Sequence, residues 1–197
     1  MVMSIERLYS RQVPKSITGD PSMFKRGMNS LTLDEVLNIL GQIQHKHPVG
    51  ALILDAQIAM CKEARKTIAR TMQGYFRSQG YSEPMAKGLA EMVTHEKCDT
   101  HICPKCHGTG ESYSKRHNKL FECKRCSGVG RIIKTELQLL KQLNSMQPTG
   151  EKITMVEFKR KHYDNYMIGV DKLHQAEWHA RKFARHLLET LEIEMAG

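Results

Sequence analysis

The sequence predicts a mainly α protein: a helical bundle with a small β-hairpin module inserted into it and a helix-turn-helix-like C-terminal part. Three observations carry this. Apolar residues recur at three- and four-residue spacing through most of the 197 residues. Aromatics make up only 6% of the chain against twelve methionines, which suits an aliphatic, helical core. The helical pattern is interrupted by two copies of Cys-x-x-Cys-x-Gly-x-Gly, running from Cys103 to Gly110 and from Cys123 to Gly130.

Residues 1–29 hold Pro14, Pro21, Gly19 and Gly27 with no sustained apolar period, and read as a mobile, mildly basic arm. The helical bundle is expected over residues 30–100. It opens at Thr32 and Glu35, a capping-box spacing, followed by Leu33, Val36, Leu37 and Leu40 on one face. His47 and Pro48 end that helix, because a residue before proline avoids the α region. A longer helix is expected from about Ala51 to Ser78, with Ala59, Met60, Ala64, Ile68 and Met72 on its apolar face and Gly80 as its cap. Ser82 is an N-cap candidate with Pro84 in the first turn, and Met85, Leu89, Met92 and Val93 form the next buried stripe.

The paired motifs define the module at 101–133. A lone Cys-x-x-Cys suits redox chemistry, but two such turns, each followed by glycines, make the two halves of a tetrahedral zinc shell. Gly108 and Gly128 supply the positive φ with which the chain folds back so that N–H groups point at sulfur. Cys103, Cys106, Cys123 and Cys126 are the expected ligands. Cys98, His101, His107 and His117 lie nearby as competitors, and Cys61 falls in an apolar helix as a small buried hydrophobe. Four thiolates leave no open position for water, so the expected single zinc ion is structural. The sixteen residues between Cys106 and Cys123 suffice for a β-hairpin with an exposed basic tip.

Residues 134–197 return to helix. Leu137, Leu139, Leu140, Leu143 and Met146 form a short amphipathic helix that ends before Pro148. Thr154 and Glu157 make a second capping-box spacing, opening a helix expected to bury Val156, Phe158, Tyr163 and Met167. Lys159, Arg160 and Lys161 project early in that helix, in the outline of a helix-turn-helix whose connection, Gln147 to Ile153, is long. Two adjacent core helices with a solvated basic edge fit the same pattern. A final helix is expected from Ala176 to Met195, with the lone Trp178 as a packing anchor.

Net charge is +9, which makes a polyanion the default partner. From Cys103 to Lys134 there are eight Lys or Arg against Glu111 and Glu122. Lys115, Arg116, Lys124 and Arg125 are therefore candidate phosphate contacts beside the metal, and Lys159, Arg160 and Lys161 candidate contacts to duplex DNA. The cysteine pattern is no secreted disulfide framework, the start of the chain lacks a signal-type apolar run, and no stretch suits a membrane span. A reducing, cytoplasmic setting and no membrane partner are expected. An enzyme is not expected: no Walker-type loop or His-Glu-x-x-His is present, and the deaminase-like order around Cys103 is disturbed because Pro104 follows the cysteine.

The two knuckles, the basic insert and the flanking helix pair resemble the late-gene antitermination protein Q of lambda-type phages. Pro14, Lys15 and Ser16 in the arm, Ser30 and Leu31, and the long helix before the first knuckle are similar in order and spacing. The resemblance implies a regulator that binds double-stranded DNA at the phage late promoter and engages paused bacterial RNA polymerase through sigma factor and the flap. It implies travel with the polymerase through terminators, assistance from NusA, and a place in the bacterial host cytoplasm. Cys103, Cys106, Cys123 and Cys126 carry over as zinc ligands. The knuckle motif also recurs in the zinc regions of DnaJ-type chaperones, which bind unfolded polypeptide. Against that alternative stand the single pair of knuckles, where those chaperones have four, and the missing His-Pro-Asp motif. Another zinc-dependent nucleic-acid-binding regulator fits the charge and the metal equally well.

Overall fold

The computed structural model describes residues 4–10, 32–99 and 103–196, except 104, 107–108, 115–117, 129, 131, 133 and 149–151. The elements are α1 (Ile5–Ser10), α2 (Leu33–Lys46), α3 (Pro48–Gln57), α4 (Lys62–Ser78), α5 (Glu83–Cys98), β1 (Glu111–Ser114), β2 (Lys119–Glu122), α6 (Glu136–Met146) and α7 (Met155–Glu157). A π-helical segment (Phe158–Tyr163) and α8 (Asp164–Ala196) follow α7 without a break. The protein is mainly helical, with one two-stranded hairpin.

The chain divides into two compact units, one of Met1–Thr71 with Ile168–Gly197 and one of Met72–Met167. This differs from the expected division at residues 30, 101 and 134: much of α8 belongs with the N-terminal helices, and the hairpin belongs with α5 and α6. Sequence order gave no sign of it, because the packing that joins distant segments has no local pattern.

In the first unit α2 starts at the expected capping box. The Thr32 N–H donates to Glu35 at 2.6 Å and the Glu35 N–H donates back to Thr32 Oγ1 at 3.3 Å. These bonds hold the Glu35 carboxyl below the usual carboxylate range. Val36 and Leu40 are buried as expected, whereas Leu37 is exposed. The α2 helix stops at His47, and Pro48 begins α3, where a missing N–H costs nothing. The core joins Val36, Ile39, Leu40, Ile43, Ala51 and Leu54 to Ala180, Ala184 and Leu188 of α8. Gly50 sits where α3 meets α8; a Cβ there would lie 2.3 Å from the Ala176 carbonyl oxygen.

Two expectations fail in this unit. The arm expected over 1–29 includes α1, whose Ile5, Leu8 and Tyr9 enter the core, while Arg181 clamps Glu6 at 2.9 Å and Glu177 at 2.7 Å. Residues 11–31, including the Pro14–Ser16 and Ser30–Leu31 similarities, lie outside the described residues. The single helix expected over 51–78 is two helices. The chain breaks at 58–61, where Met60 takes φ 55° and is exposed, and the Cys61 N–H donates to the Asp55 carbonyl at 3.1 Å. No Gly or Pro marks the break, so apolar spacing ran across it unseen. Cys61 is half-buried at the break. Trp178, expected as an anchor, is 56% exposed, and α8 runs 33 residues where a separate helix from Ala176 was expected.

In the second unit Gly80 ends α4 with φ +87°, its N–H donating to the Arg77 carbonyl. Ser82 is the N-cap of α5, although its hydroxyl makes no capping bond. Gly88 lets α5 approach α6 closely: a Cβ there would meet Leu143 at 2.7 Å and Gln147 at 2.9 Å. A capping box not anticipated from the sequence, Thr135 with Gln138, starts α6. The one at Thr154 is only half formed. Its hydroxyl accepts from the Glu157 N–H at 3.2 Å, but the Glu157 carboxylate bonds Lys161 at 2.9 Å. Asn144 pins the connection, donating to the Ile153 carbonyl at 2.9 Å and accepting from its N–H at 3.0 Å.

The π segment resets the helix phase. Phe158, His162 and Tyr166 are buried, while Val156 and Met167, expected inside, are exposed. The Tyr81 hydroxyl donates to the Lys161 carbonyl at 3.1 Å and accepts from Asn165 at 2.8 Å. A side chain bonded to the ladder is a usual setting for such a widened turn. No helix among the described residues is long and apolar enough to cross a membrane.

Candidate metal centre and basic surface

The hairpin places the two knuckles. Its strands pair Glu111 with Glu122 at the base and Ser114 with Lys119 at the tip, so the chain enters and leaves beside the cysteines. The first cysteine of each motif is then strapped to the last glycine of the other. Cys103 N–H donates to the Gly130 carbonyl at 2.9 Å, and Cys123 N–H donates to the Gly110 carbonyl at 2.8 Å. Gly110 and Gly130 take φ +78° and +76°, values favouring glycine, which explains the last position of the motif. Sequence reasoning had given the fold-back to Gly108 and Gly128. Gly128 bears this out with φ +75°, whereas Gly108 lies outside the described residues. The knuckles also cross closely, and a Cβ at Gly110 would lie 2.2 Å from the Gly128 carbonyl oxygen.

Cys103, Cys106, Cys123 and Cys126 are all buried, and their sulfurs lie within 4.8 Å of one another. Cys103 Sγ is 3.8 Å from Cys123 Sγ, and Cys106 Sγ is 3.6 Å from Cys126 Sγ. A tetrahedron with metal–sulfur bonds of about 2.3 Å has edges of about 3.8 Å. The cluster therefore fits a metal ion, and its four ligands close the shell. The thiols are electrostatically unequal. Burial raises the Cys103 thiol, but the backbone N–H groups of Cys106 and Lys105 bring it down to about 7. Burial pushes the Cys126 thiol up to about 12, against the Gly130 N–H that donates to its sulfur at 3.3 Å. A bound cation would favour the thiolate at every position. Ile132 packs against the cluster. Of the competing ligands, Cys98 is buried at the end of α5 and is not among the four, while His101, His107 and His117 lie outside the described residues.

Lys124 and Arg125 are exposed in the turn between Cys123 and Cys126, and Lys105 and Lys119 are exposed nearby in the module. Lys115 and Arg116 lie outside the described residues. Lys134, counted in the basic excess, is instead turned inward. It donates to Gln142 at 2.7 Å, and burial lowers its pKa against the opposing pull of Glu96 and Asp99. Lys159, Arg160 and Lys161 are exposed in the π segment, with Lys159 paired to Glu136 at 2.5 Å and Lys161 to Glu157 at 2.9 Å. Sequence reasoning missed the exposed apolar surface of the hairpin, made by Tyr113, Leu120 and Phe121. Alternation of polar and apolar residues in 111–122 was the available signal.

A family model matches residues 2–102 and 87–193, which together take in nearly the whole chain. The chain belongs to the conserved hypothetical protein family CHP02642. The second match contains all four cysteines and both basic segments, and the two matches overlap across most of α5. No curated protein matches the chain.

Proposed function

We propose that the four cysteines hold one structural zinc ion and that the protein is a nucleic-acid-binding transcription regulator, an antitermination factor of the lambda-type Q kind. The observation that carries this reading is the metal-stapled module itself: a closed sulfur cluster beneath exposed Lys105, Lys119, Lys124 and Arg125. A closed thiolate shell suits a structural ion and leaves no position for catalysis, which favours a binding role over an enzyme. A small rigid module with exposed cations suits phosphate neutralisation. Arg160 and its neighbours on the helix after the α6 connection offer a second contact to duplex DNA. The order of knuckles, basic insert and helix pair then favours the antitermination role, with the late promoter, paused RNA polymerase with its sigma factor and flap, and NusA as partners.

The test is a terminator-readthrough reporter in a bacterial host, driven by the promoter adjoining this gene, with and without the protein. Readthrough that depends on that promoter and rises with NusA is expected. A folded, zinc-loaded protein that gives no readthrough overturns the antitermination role. Metal analysis of the purified protein should find one zinc per chain; iron in its place would overturn the zinc assignment.

One observation favours a second reading. The hairpin exposes more apolar surface than its basic sequence suggested, as a DnaJ-like module binding unfolded polypeptide would. Suppression of the aggregation of a denatured enzyme by the zinc-loaded protein, lost on chelation, is the result that this reading requires.

A further inference from the structure

The hairpin carries apolar surface that its own fold does not use. Tyr113 is 57% exposed, Leu120 63% and Phe121 46%. The metal cluster and the crossed N–H straps hold the module together, so these side chains are not needed as its core. Register puts Tyr113 beside Leu120 on one face of the ribbon and Phe121 beside Ser112 on the other. Tyr113 is also fixed in place, because its hydroxyl donates to the Asn118 side chain at the turn, where Asn118 takes φ +50°. Each face thus presents one aromatic ring. Around them stand the exposed cations Lys119, Lys124 and Arg125.

We infer that this hairpin is a stacking platform for single-stranded nucleic acid, the rings of Tyr113 and Phe121 taking unpaired bases and the flanking cations their phosphates. The inference rests on the reading of the basic zinc module as a nucleic-acid contact, and it names which form of nucleic acid the module takes. Duplex DNA offers phosphates to the cations, but its base faces are stacked inside the helix and out of reach of an aromatic ring. Only an unpaired strand offers both chemistries together, and base–aromatic stacking needs no particular sequence. A protein partner would satisfy the apolar side chains but not the local excess of Lys and Arg. Glu111 and Glu122 face each other at the base of the ribbon, so the strand is expected on its outer half, away from that negative pair.

The test uses the zinc-loaded, full-length protein and fluorescence anisotropy with a labelled mixed-sequence 20-mer as single-stranded DNA, as the matching RNA and as duplex DNA. Single strands should bind at least about ten-fold tighter than the duplex at equal salt, and the DNA and RNA arms show which unpaired strand is preferred. Tyr113→Ala and Phe121→Ala should each weaken single-strand binding by about five- to a hundred-fold while leaving duplex affinity within about two-fold, and Tyr113→Phe should keep the affinity. Zinc content and circular dichroism equal to wild type establish that each variant is folded. Unchanged single-strand affinity in the double variant Tyr113→Ala with Phe121→Ala overturns the inference. A preference for duplex overturns it too, while leaving the nucleic-acid reading of the module standing. No binding to any of the three overturns both, and assigns the apolar hairpin to a protein partner.

Discussion

Replacing Gly110 by alanine tests the architecture of the metal centre at its tightest point. The new Cβ would lie 2.2 Å from the Gly128 carbonyl oxygen, where ordinary contact begins near 3.4 Å. The obstacle is backbone, so no side chain can swing away, and the knuckles must part by roughly 1 Å. Metal–ligand distances tolerate only about 0.2 Å, so such a shift cannot be absorbed by a shell whose measured edges are 3.6 and 3.8 Å. The φ of +78° adds about 1–2 kcal/mol of its own, because alanine adopts it poorly. Overpacking typically costs about 1–3 kcal/mol. Together these give a loss near 3 kcal/mol, or about a hundred-fold in zinc affinity. Competition against a chromophoric chelator measures it, and the visible spectrum of the cobalt-substituted protein reports the shell geometry. Gly80→Ala is the control: its φ is +87°, but nothing lies within 4 Å of its Cβ. It should bind zinc as wild type does. Zinc affinity of Gly110→Ala within about three-fold of wild type would refute the reasoning.

Cys126→Ser should cost the module its metal and its fold, because a closed site contributes folding free energy directly; full nucleic-acid binding by the metal-free variant would contradict this. Gly50→Ala and Gly41→Ala should have opposite signs in thermal unfolding. Gly41 has nothing within 4 Å and gains about 0.5–1 kcal/mol of helix propensity, whereas Gly50→Ala meets the Ala176 carbonyl and loses about 1–3 kcal/mol. Stabilisation by both would mean that α3 and α8 do not cross so closely. Burial holds the His162 imidazole below its ordinary value, with Glu157 opposing and Lys161 assisting. The unfolded chain therefore takes up a proton first, and stability is lost as pH falls below about 6.5 and through the lower folded value. A ring titration of His162 by NMR with its midpoint at or above 6.5 would contradict that. Arg160→Ala should reduce the salt slope of duplex binding by about one phosphate, and Lys159→Ala by less, because Lys159 is shared with Glu136. Equal slopes in wild type and both variants would remove this segment from the DNA interface.

Two of those substitutions touch features that the sequence announced, and two touch features that it hid. The metal centre was legible because ligand chemistry is local. Cys-x-x-Cys places two sulfurs on one turn, and the glycines after it record backbone angles that other residues avoid. What the motif did not record is which carbonyl each cysteine N–H would meet, since the straps to Gly110 and Gly130 link opposite knuckles. Likewise Gly50 gave no sign of its importance, because the helix it abuts lies far along the chain.

By itself the sequence determined the mainly helical class, the Thr32 capping box, the stop at Pro48, the cap at Gly80 and the four cysteines. Each depends on neighbours a few residues apart, where backbone sterics and hydrogen-bond geometry act without help from the rest of the chain. Tertiary structure decided the rest. It drew α1 out of an apparently featureless arm into the core, broke the 51–78 helix at Met60 without a breaker residue, and turned Trp178 outward. It fused α7, the π segment and α8 into one run, and the widened turn moved Val156 and Met167 to the surface. These outcomes turn on which distant surface is available to cover an apolar face, and periodicity within one helix carries no information about that.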